Sequence, residues 1–301
     1  LFNQIAFAGA IEVGFLYGFV ALGLFLSFRV LDFPDLTVDG SFPLGAAVAA
    51  TLITTGTDPY LATLVAVGAG ACAGFVTGFL NTRFGILHLL ASILTMISLH
   101  SINLRIMGRP NIALINEATV LTPLEALGLP RFIILPIVFG LLAIAAKLLL
   151  DRFMAGEIGL AMRATGANPR MARANGINTA AMILLGMAIA NAFVALAGAL
   201  FAQANGAADV TMGVGVIVIG LASVIGGEAI LSPKTLFRAT LACLAGSMLY
   251  QFAVALALQA DFLGLRAQDL KLITALLVAA ALVLPGRGVA VRRMFGRGGA
   301  K

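Results

Sequence analysis

Leu22-Gly23-Leu24-Phe25-Leu26-Ser27-Phe28-Arg29-Val30-Leu31-Asp32-Phe33-Pro34-Asp35-Leu36-Thr37-Val38-Asp39-Gly40-Ser41-Phe42-Pro43 joins two apolar stretches through an acid-rich break. The first stretch covers 4–28, the break 32–41, and the second stretch 42–56. Three carboxylates and two prolines interrupt what would otherwise be continuous apolar sequence. Irregular backbone at membrane depth survives only where protein or a water-filled cavity satisfies its polar groups. A spanning helix needs about 20 mostly apolar residues. Such runs recur at 60–81, 86–107, 131–150, 179–204, 235–258 and 269–285. A shorter run at 213–225 reads as a half-helix, or as one that continues past Gly226 and Gly227.

The composition agrees. Of 301 residues, 61% are apolar and 11% charged, against about 25% charged in soluble domains. No water-soluble fold of this size hides so much apolar surface; a bilayer accepts it. The fold class expected is therefore an all-α polytopic membrane protein with about 8–10 transmembrane helices, some broken or re-entrant. One membrane domain fills 1–301, with a polar loop at 151–178 and a basic tail at 286–301. The 34 glycines read as helix-packing residues, because small side chains let backbones approach closely in lipid. The first apolar stretch lacks a basic n-region and a cleavage site, so it reads as a span and not as a signal peptide.

Positive charge sets the expected orientation. With nine crossings and the C-terminus in the cytoplasm, fourteen of the 19 Lys and Arg residues fall on the cytoplasmic side. The N-terminus is then outside. The tail faces anionic lipid headgroups more readily than nucleic acid. Cys72 and Cys243 lack metal-ligand spacing and read as packing residues. His88 and His100 lie about 120° apart around one helix, which does not suit a metal. The sequence holds no G-x-x-x-x-G-K-[ST], H-E-x-x-H or G-x-S-x-G motif. No catalytic or metal-binding residues are expected, and no cofactor on this chain. Glu12 stands alone in the first span as an intramembrane acid.

Three segments carry information. In the break, Asp35, Thr37, Asp39 and Ser41 are candidates for a translocation path, since transporters use broken helices to place polar groups there. The same residues also suit an interfacial loop, with Asp39 or Ser41 capping the next helix. The loop at 156–178 carries a full set of helix signals: Asn168 as N-cap, Pro169 at the first helical position, Gly176 as the left-handed stop. These predict a two-turn helix at about 169–175, with Met171 and Asn175 on one face and Ala172 beside it. So short a helix needs a partner surface, and an exposed Met suits a docking groove. Lying at the headgroups is the alternative. Finally, 209–215 and 223–228 bracket a short apolar stretch as in a re-entrant pair, which adds Ser223 to the path candidates.

These residues resemble the permeases of the branched-chain amino acid and ribose-type ABC importers. Asp35-Leu36-Thr37-Val38-Asp39-Gly40-Ser41 is similar to the family's broken segment, although the acid-rich break departs from the general pattern. Gly78-Phe79-Leu80-Asn81-Thr82-Arg83 resembles its Gly-x-x-Asn turn. Arg163-Ala164-Thr165-Gly166-Ala167-Asn168-Pro169, with Ala172 and Gly176-Ile177-Asn178, resembles its cytoplasmic loop. Ser223-Val224-Ile225-Gly226-Gly227 resembles its Gly-Gly turn. The runs 31–41 and 102–110 are most similar to a subgroup of amino-acid permeases, with aromatic amino acids among the suggested substrates.

The resemblance implies a permease subunit of a bacterial inner-membrane importer. Two copies would form the pathway, a periplasmic binding protein would deliver a small solute, and separate ATPase subunits holding ATP and Mg would drive transport. They would dock on Arg163, Ala164, Gly166, Asn168, Pro169, Met171, Ala172, Asn175 and Gly176. An ion-coupled secondary transporter or a channel is the competing class.

Overall fold

The computed structural model describes residues 4–125 and 130–258. The expected span at 269–285 and the basic tail at 286–301 lie outside the described residues. The chain runs as α1 (Gln4–Leu24), a π-helical turn (Phe25–Val30), α2 (Val38–Thr54), α3 (Pro59–Phe84) and α4 (His88–Met107). Then follow β1 (Asn111–Ala113), α5 (Thr122–Glu125), α6 (Arg131–Ala155), α7 (Glu157–Ala167) and α8 (Pro169–Ala174). The last described elements are α9 (Thr179–Asn205), β2 (Ala207–Asp209), α10 (Val216–Ile230) and α11 (Leu236–Leu258). Among the described residues, six helices are long and apolar enough to cross a membrane, and α2 and α10 are shorter apolar helices. This is an all-α polytopic membrane protein.

Local signals set the ends of the long helices. Asp58 accepts hydrogen bonds from the Tyr60 and Leu61 N–H groups, Pro59 occupies the first position of α3, and Gly85 ends it at φ +67°. Asn178 caps α9, and Gly206 ends it at φ +70°. Where the sequence lacks such signals, the structure departs from expectation. Ser27-Phe28-Arg29 contains neither Gly nor Pro, yet the chain widens into a π turn in which the Leu31 N–H reaches the Leu26 carbonyl at 3.1 Å. α2 begins at Val38, inside the expected break. α10 continues unbroken through Gly226 and Gly227, the second of the two readings open for that run. At about 22 Å it is shorter than a hydrocarbon core of about 30 Å. A two-stranded antiparallel ribbon, β1 on β2, ties the 111–113 and 207–209 loops at one end of the bundle. There Thr211 holds the Asp209 carboxyl below its ordinary value by donating through its hydroxyl and its N–H.

α9 is the central post, with α1, α2 and α3 packed on it. α1 also meets α6, α10 and α11. α3 and α9 approach closely, and a Cβ on Gly74 would sit 2.0 Å from the Met187 carbonyl oxygen. In lipid this contact rests on van der Waals packing and interhelical hydrogen bonds, which only small residues permit at such range. At the opposite end from the ribbon, the buried Lys147 on α6 pairs with Asp151 and lies 3.4 Å over the Phe237 ring of α11. The Thr240 hydroxyl donates to Asp151 at 2.7 Å, so α6 and α11 are pinned together by satisfied polar groups.

Gly74→Ala forces a methyl group into the α9 backbone and is expected to destabilise the protein by about 1–3 kcal/mol. Gly68→Ala, on the same helix with nothing within 4 Å, is expected to be neutral or stabilising by up to about 1 kcal/mol. Thermal unfolding of the two variants in detergent checks the contrast; equal melting would mean that α3 does not seat on α9 this closely.

Candidate functional site

The break climbs from the π turn to the middle of α9. Asp32 adopts a left-handed conformation at φ 54° and redirects the chain. Asp35 is fully buried; its Oδ1 accepts from the Thr37 N–H at 2.9 Å and its Oδ2 from Asn191 Nδ2 at 2.8 Å. The Ser41 hydroxyl donates to Asn191 Oδ1 at 2.7 Å. The hydroxyls of Thr37 and Thr77 lie 2.8 Å apart. Asn191 Nδ2 also reaches the Met187 carbonyl, at 3.1 Å. One amide on α9 thus organises a knot of side chains from the break, α2 and α3.

Asp35, Thr37 and Ser41 are therefore turned inward as a brace, and their hydrogen bonds are spent within the protein, on Asn191, Thr77 and the Thr37 N–H. Neither Asp39 nor Ser41 caps its own helix. The Asp39 carboxylate instead accepts from the Gly215 and Ile217 N–H groups at 3.2 and 2.8 Å, which caps α10 from a distant part of the chain. Ser223 is buried and donates to the Ile219 carbonyl within α10. The five path candidates thus divide into a knot, a cap and a packing residue. Asn191 and Thr77 were missed in the sequence, although an Asn within a 27-residue apolar helix is a usable signal.

The loop residues are brought together as a capped helix pair. Asn168 Oδ1 accepts from the Arg170 and Met171 N–H groups at 3.1 and 3.0 Å, with Pro169 at the first position of α8. Gly176 takes φ +81°, and the Ile177 N–H returns to the Ala172 carbonyl at 3.0 Å. Met171 is 54% exposed, while Ala172 is fully buried. Asn175 folds back onto the Met171 carbonyl at 2.9 Å. On α7, Arg163 is exposed and donates to the Met154 carbonyl, Ala164 is half-buried, and Met162 and Thr165 face inward. A Cβ on Gly166 would lie 1.9 Å from the Val30 carbonyl oxygen, so α7 rests directly on the π turn.

The chain matches the family described as "Branched-chain amino acid transport system / permease component" over residues 6–284. It belongs to this family. A relative named "Tyrosine transport system permease protein", from Clostridioides difficile (strain R20291), is 38% identical over 91% of this chain and 89% of its own length. The uncharacterized protein RP368 of Rickettsia prowazekii (strain Madrid E) is 34% identical over 87% of this chain and 91% of its own. A chain in the solved structure of PsaBC from Streptococcus pneumoniae in complex with Fab shares the fold. Its TM-score is 0.52 at 16% identity, covering 92% of this chain and 90% of that one. The permease is thus an integral membrane component of an ABC transport system, which sets aside the secondary-transporter and channel readings.

α4 adds a feature that no motif announced. Leu94, Ser98, Ser101 and Arg105 fall on one exposed side of this helix. His100 is exposed nearby. Polar and charged side chains at membrane depth are costly against lipid and turn to water or to protein.

Asn191→Ala removes interhelical bonds worth about 0.6–2 kcal/mol each and strands Asp35 and Ser41. A loss of about 2–4 kcal/mol is expected. Ser41→Ala removes one bond and is expected to cost about 1 kcal/mol. Urea or thermal titration of the detergent-solubilised variants ranks them; a Ser41 variant as weak as the Asn191 variant would contradict the hub role of Asn191.

Proposed function

We propose that this permease imports an amino acid, with an aromatic one favoured, as one of two copies in a bacterial inner-membrane complex. The C. difficile relative supports the substrate class, since its name specifies tyrosine transport and the likeness extends over 91% of this chain. A periplasmic binding protein delivers the amino acid, and separate ATPase subunits supply ATP and Mg. The observation that carries the docking assignment is the α7–α8 pair: a fully capped short helix that presents Met171 outward and is anchored through Ala172. The end of the bundle bearing α7 and α8 is cytoplasmic in this reading. Arg29, Arg83, Arg152, Arg163, Arg170 and Arg173 gather there, as positive charge does on the cytoplasmic side. The N-terminus is then outside.

The coupling residues divide their work. Asn168, Pro169, Asn175 and Gly176 shape α8. Met171 and Arg163 meet the ATPase. Gly166, lying on Val30, passes motion of α7 to the π turn, and the break carries it to the Asn191 knot. The pathway lies between the two copies and is lined by the Ser98–Ser101–Arg105 side of α4, which explains polar groups on an otherwise apolar exposed face. Asp35, Thr37, Ser41 and Ser223 hold the walls in place and do not meet the solute.

Met171→Arg is expected to abolish co-purification of the ATPase subunit and to reduce binding-protein-dependent tyrosine uptake at least tenfold, while the permease elutes as the folded protein. Retained assembly would move the docking face elsewhere. Separately, cysteines at Ser98 and Ser101 in a Cys72→Ala background are expected to react with a membrane-impermeant thiol reagent faster than a cysteine at Leu64, on an apolar exposed part of α3. Equal rates would place α4 against lipid.

A further inference from the structure

A cavity of about 540 Å³ opens at the end of the bundle that carries α7. It lies between the π turn, the C-terminal part of α7 and the loop joining α10 to α11. Its size falls within the range of small-molecule sites. Its chemistry is two-signed. Arg29 and Glu228, which pair with each other, form one wall. Asp32, Arg163 and Lys234 also line it. Among the described residues Asp32 and Lys234 join no ion pair, although they carry opposite charges and face the same space. Phe25, Phe28 and Leu236 add an apolar side.

The backbone around this cavity is unusual twice over. Phe25, Phe28 and Arg29 come from the π turn, a conformation that recurs at functional sites. Asp32 is held at φ 54°, a positive value uncommon for any residue with a side chain. Positive-φ backbone of this kind is concentrated at ligand clamps and switch regions. Both features place side chains on the same cavity.

We propose that this cavity binds a free amino acid from the cytoplasmic side. The ligand's ammonium group meets Asp32, its carboxylate meets Lys234, and an apolar or aromatic side chain lies against Phe25 and Phe28. The gap between two unpaired opposite charges is what a zwitterion fills and what a simple anion or cation does not. The proposal rests on the amino-acid reading of the transport cycle, since it makes the occupant the imported product. A bound product wedged between α7 and the π turn opposes movement of α7, so accumulated product slows further import. An aminophospholipid headgroup has the same pairing of ammonium and anion, and the test separates the two sources.

Equilibrium dialysis of the full-length permease in detergent, without binding protein, against radiolabelled L-phenylalanine and L-tyrosine tests the site. Saturable binding is expected. Phenethylamine, which lacks the carboxylate, and 3-phenylpropionate, which lacks the ammonium, are expected not to compete. Asp32→Asn and Lys234→Gln, both at exposed positions, are each expected to weaken binding at least tenfold while the protein elutes as the folded wild type does. No saturable binding, or binding that survives both variants, overturns the proposal. In nanodiscs of phosphatidylglycerol alone, amino-acid binding is expected to persist on addition of phosphatidylethanolamine. Its complete loss there would assign the site to lipid and overturn the amino acid as occupant. Uptake into proteoliposomes driven by the binding protein and ATPase is read independently. Uptake without dialysis binding overturns this site alone, and dialysis binding without uptake of any amino acid overturns the transport reading alone.

Discussion

Backbone polar groups inside a bilayer have no water to turn to, and this constraint governs the structure from residue 25 to residue 41. The chain leaves the helical ladder at the π turn and re-enters it at Val38. Between those points its polar groups must find partners within the protein. Asp35 serves the Thr37 N–H, Asn191 serves Asp35 and Ser41, and Thr77 serves Thr37. Remove the amide of Asn191 and two of these partners are orphaned at once. The Asn191 amide at the midpoint of α9 joins the break to α2, and Thr77 ties α3 to the break through Thr37.

The knot and the α7–α8 pair are two ends of one connection. Gly166 seats α7 on the last carbonyl of the π turn. The π turn passes into Asp32, and the break then runs to Asn191. In the proposed coupling, a displacement of α7 reaches the centre of the bundle through this segment. Close-packed contacts of this kind have few alternatives to moving as a body. In that proposed coupling the absence of a Cβ at Gly166 is a mechanical feature as much as a steric one.

The long helices were legible because hydropathy and length are written residue by residue. The α8 turn was equally legible, because Asn168, Pro169 and Gly176 act on their immediate neighbours. What the sequence could not convey was direction. Asp35, Thr37 and Ser41 announce polarity in an apolar context, and the same letters serve a pore or a brace. Only the fold reveals that Asn191, 156 residues away from Asp35, closes the circuit. The π turn lacks Gly and Pro, and the ribbon strands are three residues each, too short for any alternation to show. The exposed serines of α4 form a stripe only once the helix is known to have an uncovered side.

The cap on α10 bears on how the protein is made. Gly215 and Ile217 find their acceptor on Asp39, which is synthesised 176 and 178 residues earlier. A helix of 15 residues with its first turn in the interior has no stable place in lipid until α2 is already seated. α2, docked on α9, must then be in place before α10 can be capped. α10 joins the bundle late, as a keystone fitted from within, and the order of translation matches the order in which its support becomes available.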